Sequence, residues 1–203
     1  MEVKKKYELT SETIKFNGVT LHRIKALKDF SDVKEGDLGG WIEKEENLSQ
    51  MGNAWVYSNA KVYGNAKVFG DAQVFCDAEV YGNAQVYGNA EVYGYALVYD
   101  NAEIYHNAKV FGNAEICGNA EVFGNAKICG NAVVKNNEDY IVFKNFWSSG
   151  RYFTWTRSNN MWTVGCFYGT SKELIGKAYK DSEKSWKEYE RVVRYVDSIL
   201  ADE

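Results

Sequence analysis

Residues able to do chemistry are sparse in this chain. The densest group is RYFTWTR, where strand alternation puts Arg151, Phe153, Trp155 and Arg157 on one side. Guanidinium groups interleaved with rings can stack on bases and pair with phosphates, which makes these four candidate ligand residues for a nucleotide or nucleic acid. The same four would equally line a subunit contact or support a neighbouring element. The cysteines, Cys76, Cys117, Cys129 and Cys166, lack C-x-x-C spacing and are too few for a disulfide framework in 203 residues, which fits a reducing compartment. Nothing near Cys76 in sequence would depress its pKa. His22 and His106 are the only histidines, one short of a three-imidazole zinc site. Gly36-Asp37-Leu38-Gly39-Gly40-Trp41-Ile42 lacks the spacing and the Lys-Ser/Thr ending of a phosphate loop. No metal and no cofactor is expected.

What must position these residues is a six-residue repeat. Val or Ile recurs at 56, 62, 68 and every sixth position to 134, and Ala at 54, 60, 66 and every sixth position to 132, fourteen times each. Ala and the next aliphatic residue lie two apart and so share one side of a strand. The Gly-Asn pair that follows has the backbone tolerance to turn a corner. Strands this short cannot reverse and pair with their neighbours, so the chain must coil. At three hexads per coil, fourteen give about 4.7 coils and a prism about 22 Å tall.

Residues eighteen apart then stack in three outward columns. Trp55, Tyr57, Phe75, Tyr93 and Phe111 lie on face one; Tyr63, Tyr81 and Tyr99 on face two; Phe69, Tyr87, Tyr105 and Phe123 on face three. Such ladders stabilise stacked strands, and contiguous exposed rings also mark contact surfaces. Trp55, Tyr57, Phe75, Tyr93 and Phe111 are therefore the candidate partner-binding residues. At the corners Ser58, Cys76, Asp100 and His106 replace Gly, and Asp71, Asp77 and Tyr95 replace Asn.

An open strand edge needs covering, so both flanks are expected to act as caps. Residues 13–27 read as a hairpin turning at Asn17-Gly18. Ile42 and Leu48 keep step with the Ala positions, so a looser first coil begins before residue 51. After about residue 138 the period stops: DYIVFKNFW, RYFTWTR and MWTVGCFY read as three strands. Thr170 and Glu173 match a capping box, and Trp186, Tyr189, Val193, Val196 and Leu200 form a helical stripe. The expected divisions are 1–47, an N-terminal hairpin and capping segment; 48–136, the β-helix; and 137–203, a small α+β module.

The hexads resemble the hexapeptide-repeat proteins, which implies a mainly β fold, a left-handed parallel β-helix of triangular coils. Many of those proteins are acyltransferases with a histidine base beside an inserted loop; here His106 stands at a corner and no loop interrupts residues 51–134. The run GDLGGWIEKEENLSQMGNAWVYSNAKVYGNAKV with an FYGTSKEL-type module resembles uncharacterised β-helical proteins of bacteriophages and prophages. That resemblance implies a viral or prophage setting but supplies no catalytic motif.

The charge balance excludes a broadly basic nucleic-acid surface: 24 Lys and Arg face 28 Asp and Glu, a net charge of −4. Within residues 51–134 eight acids outnumber four lysines, but Lys61, Lys67, Lys109 and Lys127 interrupt the acidic columns and weaken a DNA-mimic reading. No run of about 18 apolar residues would span a bilayer, and Lys4, Lys5 and Lys6 lead into Tyr7-Glu8-Leu9-Thr10 rather than into an apolar signal stretch, so a cytoplasmic location is expected. The leading expectation is a non-enzymatic binding protein whose faces and C-terminal module engage a host macromolecule, such as a host defence complex, and which self-associates. The alternatives are an acyltransferase using His106 and a protein that sequesters nucleotides or nucleic acid.

Overall fold

The computed structural model describes residues 5–145 and 150–201, and the chain divides into two compact units, Met1–Asp139 and Tyr140–Glu203. Phe146 and Trp147 of DYIVFKNFW lie outside the described residues.

The protein is mainly β, and the first unit is a parallel β-solenoid. Each hexad contributes a two-residue strand that pairs in parallel with the strand eighteen residues on, as Glu91 does with Lys109 and Leu97 with Glu115. Face one is a sheet of five such strands and face three a sheet of four; face two continues into the N-terminal hairpin as an eight-stranded sheet. The repeated Ala and Val or Ile side chains fill the interior, none more than 1% exposed. A prism this narrow accepts only small and branched side chains, which leaves the aromatic positions outside. Corners turn through a left-handed residue, Gly at most of them and Ser58, Cys76, Asp100 and His106 at four others, with φ between 52° and 60°. The Asn that follows donates along the axis, as in the chain Asn65, Asn83, Asn101, Asn119 at 3.0–3.2 Å.

The first coil is looser than the rest, and its register corrects the hexad reading. Ile42 pairs with Val62 and Leu48 with Val68, twenty residues apart, so both occupy the aliphatic position and not the Ala position. The added length sits near Gln50, whose side-chain oxygen accepts from the Lys6 N–H at 2.7 Å and the Tyr7 N–H at 3.3 Å while its amide donates to the Tyr7 carbonyl at 3.2 Å. That clamp fixes the incoming strand β1 (Tyr7–Phe16), which pairs antiparallel with β2 (Val19–Ala26) across Asn17 (φ 47°) and Gly18 (φ 84°). The hairpin is longer than residues 13–27 suggested because β1 reaches back to Tyr7. From β2 the sheet passes to β3 (Leu38–Ile42) and so into the coils. β3 approaches them closely: a Cβ on Gly39 would lie 2.6 Å from both Ile24 Cγ1 and the Val56 carbonyl, and one on Gly40 2.6 Å from the Ala60 carbonyl.

The open edge is closed by three different donors. Along the coils each Ala carbonyl accepts from a backbone N–H of the preceding turn, as Ala72 does from Trp55 at 3.0 Å. Where that turn is incomplete, Ala60 accepts from the Trp41 N–H at 2.9 Å, Ala66 from Asn47 Nδ2 at 2.8 Å and Ala54 from Lys6 Nζ at 2.8 Å. Buried carbonyls left bare would each cost about 1–3 kcal/mol, so a lysine and an asparagine side chain here stand in for missing backbone. At the far end Asn137 repeats the device, its Oδ1 accepting from the Glu121 N–H at 2.8 Å.

The second unit is a four-stranded antiparallel meander, Tyr140–Lys144, Tyr152–Thr156, Met161–Val164 and Phe167–Gly169, followed by α1 (Ser171–Asp181) and α2 (Glu183–Ala201). MWTVGCFY is two strands and not one, because Gly165 adopts φ 61° and reverses the chain. The capping box forms: Thr170 Oγ1 accepts from the Glu173 N–H at 3.3 Å while Glu173 Oε2 accepts from the Thr170 N–H at 2.8 Å. Val193 and Val196 of the α2 stripe are buried, with Tyr189 and Leu200 packed beside them.

Candidate interaction surface

Seven pairs of rings eighteen residues apart stack nearly parallel, with centroids 4.6–5.3 Å apart and planes within 12°. Stacking covers the ring faces and leaves the edges to solvent, so the ladders expose less apolar surface than their sequence count suggests. On faces two and three four of the five tyrosine hydroxyls, all but that of Tyr81, are trimmed by carboxylates sixteen residues on. Tyr63 donates to Glu79 at 3.3 Å, Tyr99 to Glu115 at 3.4 Å, Tyr87 to Glu103 at 2.9 Å and Tyr105 to Glu121 at 2.8 Å. Desolvation, with these acids adding to it, pushes the Tyr87 phenol up to about 12. Tyr63 rises to about 12 as well, chiefly through desolvation.

Face one differs. Phe75, Tyr93 and Phe111 stack on one another, and the Tyr93 hydroxyl has no hydrogen-bond partner among the described residues. The place sixteen residues beyond Tyr93 is taken by Lys109, which is bound to Glu91 at 2.6 Å. Tyr57 turns edge-on to Phe75 and donates to Asp32 at 2.8 Å. Trp55 is corrected outright as an exposed contact. It is 1% exposed, with Phe30 at 5.3 Å and Tyr7 at 6.0 Å edge-on to its ring, because the N-terminal segment folds over this end of the face.

The corner between faces one and two carries a break in the polar trim. Tyr95 replaces Asn between the bonded pairs Asn59–Asp77 and Asn113–Asn131 and is 66% exposed. Two residues later Leu97 stands where a Glu would accept from Tyr81. Tyr93, Tyr95 and Leu97 thus run an apolar strip around one corner of one coil. Tyr95 was visible in sequence as a departure from Asn; Leu97 acquires meaning only once the sixteen-residue Tyr–Glu pairing is seen.

The Arg151, Phe153, Trp155, Arg157 row does not form a ligand face. Phe153 and Trp155 are buried in the second unit's core with Trp162, Val164, Leu174, Val193 and Val196, because the helices pack on that side of the sheet. Trp155 Nε1 donates to Asn160 at 2.9 Å. Arg151 is exposed and Arg157 half-buried.

His106 is exposed at its corner with φ 58°. Its ring lies 4.9 Å from that of Tyr105 and has no hydrogen-bond partner among the described residues, so nothing orients it as a base. Among those residues no cluster of three or more His, Cys, Asp or Glu would hold a metal, and no helix is long and apolar enough to cross a membrane.

Fold and repeat together define a hexapeptide-repeat parallel β-solenoid. Within that class, residues 84–100 match the model of the YdcK beta solenoid repeat. An alignment 61 positions long, which covers 26% of this chain, is 41% identical to the uncharacterized acetyltransferase YdcK of Escherichia coli (strain K12). The match spans 19% of that relative's length.

Proposed function

We propose that the protein is a non-enzymatic binding protein that engages a macromolecular partner at the corner between faces one and two. The observation that carries this is the untrimmed strip Tyr93, Tyr95 and Leu97, flanked by Phe75 and Phe111, on a solenoid whose other tyrosines are mostly tied to carboxylates. An exposed tyrosine beside a half-buried leucine on a rigid sheet offers contact area at low entropic cost. In the phage or prophage setting that the GDLGGWI resemblance implies, the partner is a host protein, and a defence complex is the class to try first. The test is sedimentation of the tagged chain with and without host lysate, with mass-spectrometric identification of any co-sedimenting species. The double variant Tyr95→Asn, Leu97→Glu, which restores the polar trim, should abolish capture while leaving the melting temperature unchanged. Undiminished capture by that variant, or none by the parent chain, overturns the proposal.

A second reading, an acyltransferase with His106 as base, is favoured by the likeness to a protein named an acetyltransferase. His106→Ala should then abolish transfer from an acyl-thioester donor; unchanged turnover removes that role. Among the described residues His106 has no orienting partner of the kind such a base requires, which ranks this reading second.

A further inference from the structure

The second unit holds a cleft that neither reading uses. It has a volume of about 390 Å³, within the range of small-molecule sites. Val164, Leu174 and Ala178 form its apolar floor, each no more than 4% exposed. Two rings stand at its sides: Phe167 on the last strand, and Tyr189 on α2, which is held edge-on to Phe153 at 4.7 Å. Two cations occupy the rim. Lys177 Nζ sits 5.6 Å from the Phe167 ring centroid. The Arg151 side chain passes over the turn at Gly165, where even a Cβ would approach its Cδ to 3.3 Å. Gly165 thus lets the arginine lie across the cleft mouth.

Among the described residues no carboxylate matches the charges at this rim. On α2, Lys187, Arg191 and Arg194 each pair with a glutamate one helical turn away. Neither Arg151 nor Lys177 has a carboxylate partner among the described residues, and Glu173 on α1 is committed to the Thr170 cap. An apolar floor, two rings and two rim cations form a receptor for a small molecule with one anionic end.

We infer that this cleft binds a small organic anion, its apolar or aromatic body against Val164, Leu174, Phe167 and Tyr189 and its carboxylate or phosphate at Arg151 and Lys177. The site keeps Arg151 from the row read in sequence but replaces Phe153, Trp155 and Arg157 with residues from the two following strands and both helices. Two cations and a closed floor fit a single small ligand better than a nucleic-acid strand, which needs a continuous basic groove.

Calorimetry on the full chain with phenyl phosphate, benzoate, inorganic phosphate and benzyl alcohol tests the inference and identifies the head group. Phenyl phosphate or benzoate should bind at least about tenfold more tightly than neutral benzyl alcohol or bare phosphate, and Arg151→Gln and Lys177→Gln should each weaken that binding about tenfold. Both substituted residues are exposed, so the melting temperature should hold. An independent readout uses Cys166, also at the rim: in a Cys76→Ser background the bound anion should slow its alkylation by iodoacetamide. Equal affinity for benzyl alcohol, binding unchanged in the Arg151→Gln, Lys177→Gln double variant, or neither heat nor protection at millimolar ligand overturns it. Tyr95→Asn, Leu97→Glu should leave the titration untouched, so this site and the solenoid corner stand or fall separately.

Discussion

The two units use aromatic residues in opposite ways. In the solenoid the rings stand outside, stacked edge-out along the axis, around an interior of alanine and valine. In the second unit Phe153, Trp155 and Trp162 are themselves the core, at most 1% exposed. Both segments show alternation, and in both the sequence offers the rings as candidate contact residues. Alternation says only that two residues share a side; what covers that side is decided elsewhere. In a coil of two-residue strands the inner side is fixed by the chain's own turning. In an open meander it is fixed by where the helices land.

The largest effect that sharpens this contrast comes from truncating one ring of each kind. Trp155→Ala should cost the second unit about 3–5 kcal/mol, whereas Phe75→Ala on the ladder should cost about 1 kcal/mol. Denaturant unfolding of the two variants checks it, and equal losses would mean that the ladder is as much a core as the cluster around Trp155.

A second difference lies in how the solenoid's start is sealed. Lys6 is 1% exposed, and burial, reinforced by Lys28, lowers its pKa to about 8. Between that value and the ordinary 10.5 the unfolded chain binds more protons at Lys6 than the folded one, so its contribution to stability rises with pH across this window. Below about 8 both states are protonated and the slope vanishes. The wild type should therefore gain stability relative to Lys6→Met between pH 8 and 10, measured as the difference in urea midpoints; parallel profiles would place the lysine in water. The amine keeps its bond to Ala54 in either state, since neutral nitrogen still donates.

The smallest effect separates the faces from one another. Tyr105→Phe removes a hydroxyl bonded to Glu121 and should cost about 0.5–1 kcal/mol, while Tyr93→Phe removes a hydroxyl with no partner among the described residues and should cost almost nothing. Equal melting temperatures for these two variants would erase the distinction on which the candidate surface rests.

Much of the solenoid was legible because its contacts repeat. Val80 meets Val62 and Val98, each eighteen residues away and of the same type, so the sequence pattern and the spatial pattern coincide. The hairpin turn at Asn17-Gly18 and the Thr170 cap were legible for a related reason, their partners lying within a few residues. The candidate sites were not. Trp55 sits in the outward column, and nothing local shows that Phe30 and Tyr7 fold over it. Arg151 was found, but its neighbours Phe167, Lys177 and Tyr189 come from three later elements and were not.

By itself, then, the amino-acid sequence determined the coil: which side chains point in, which stack outside and where corners fall, because a helical repeat turns a one-dimensional period directly into three-dimensional neighbours. Only tertiary structure decided the ends and the second unit. Lys6 reaches Ala54, Tyr7 reaches Leu48 and α2 reaches the sheet by contacts that occur once. A contact made once leaves no period behind, and its partners are chosen by the packing of the whole chain.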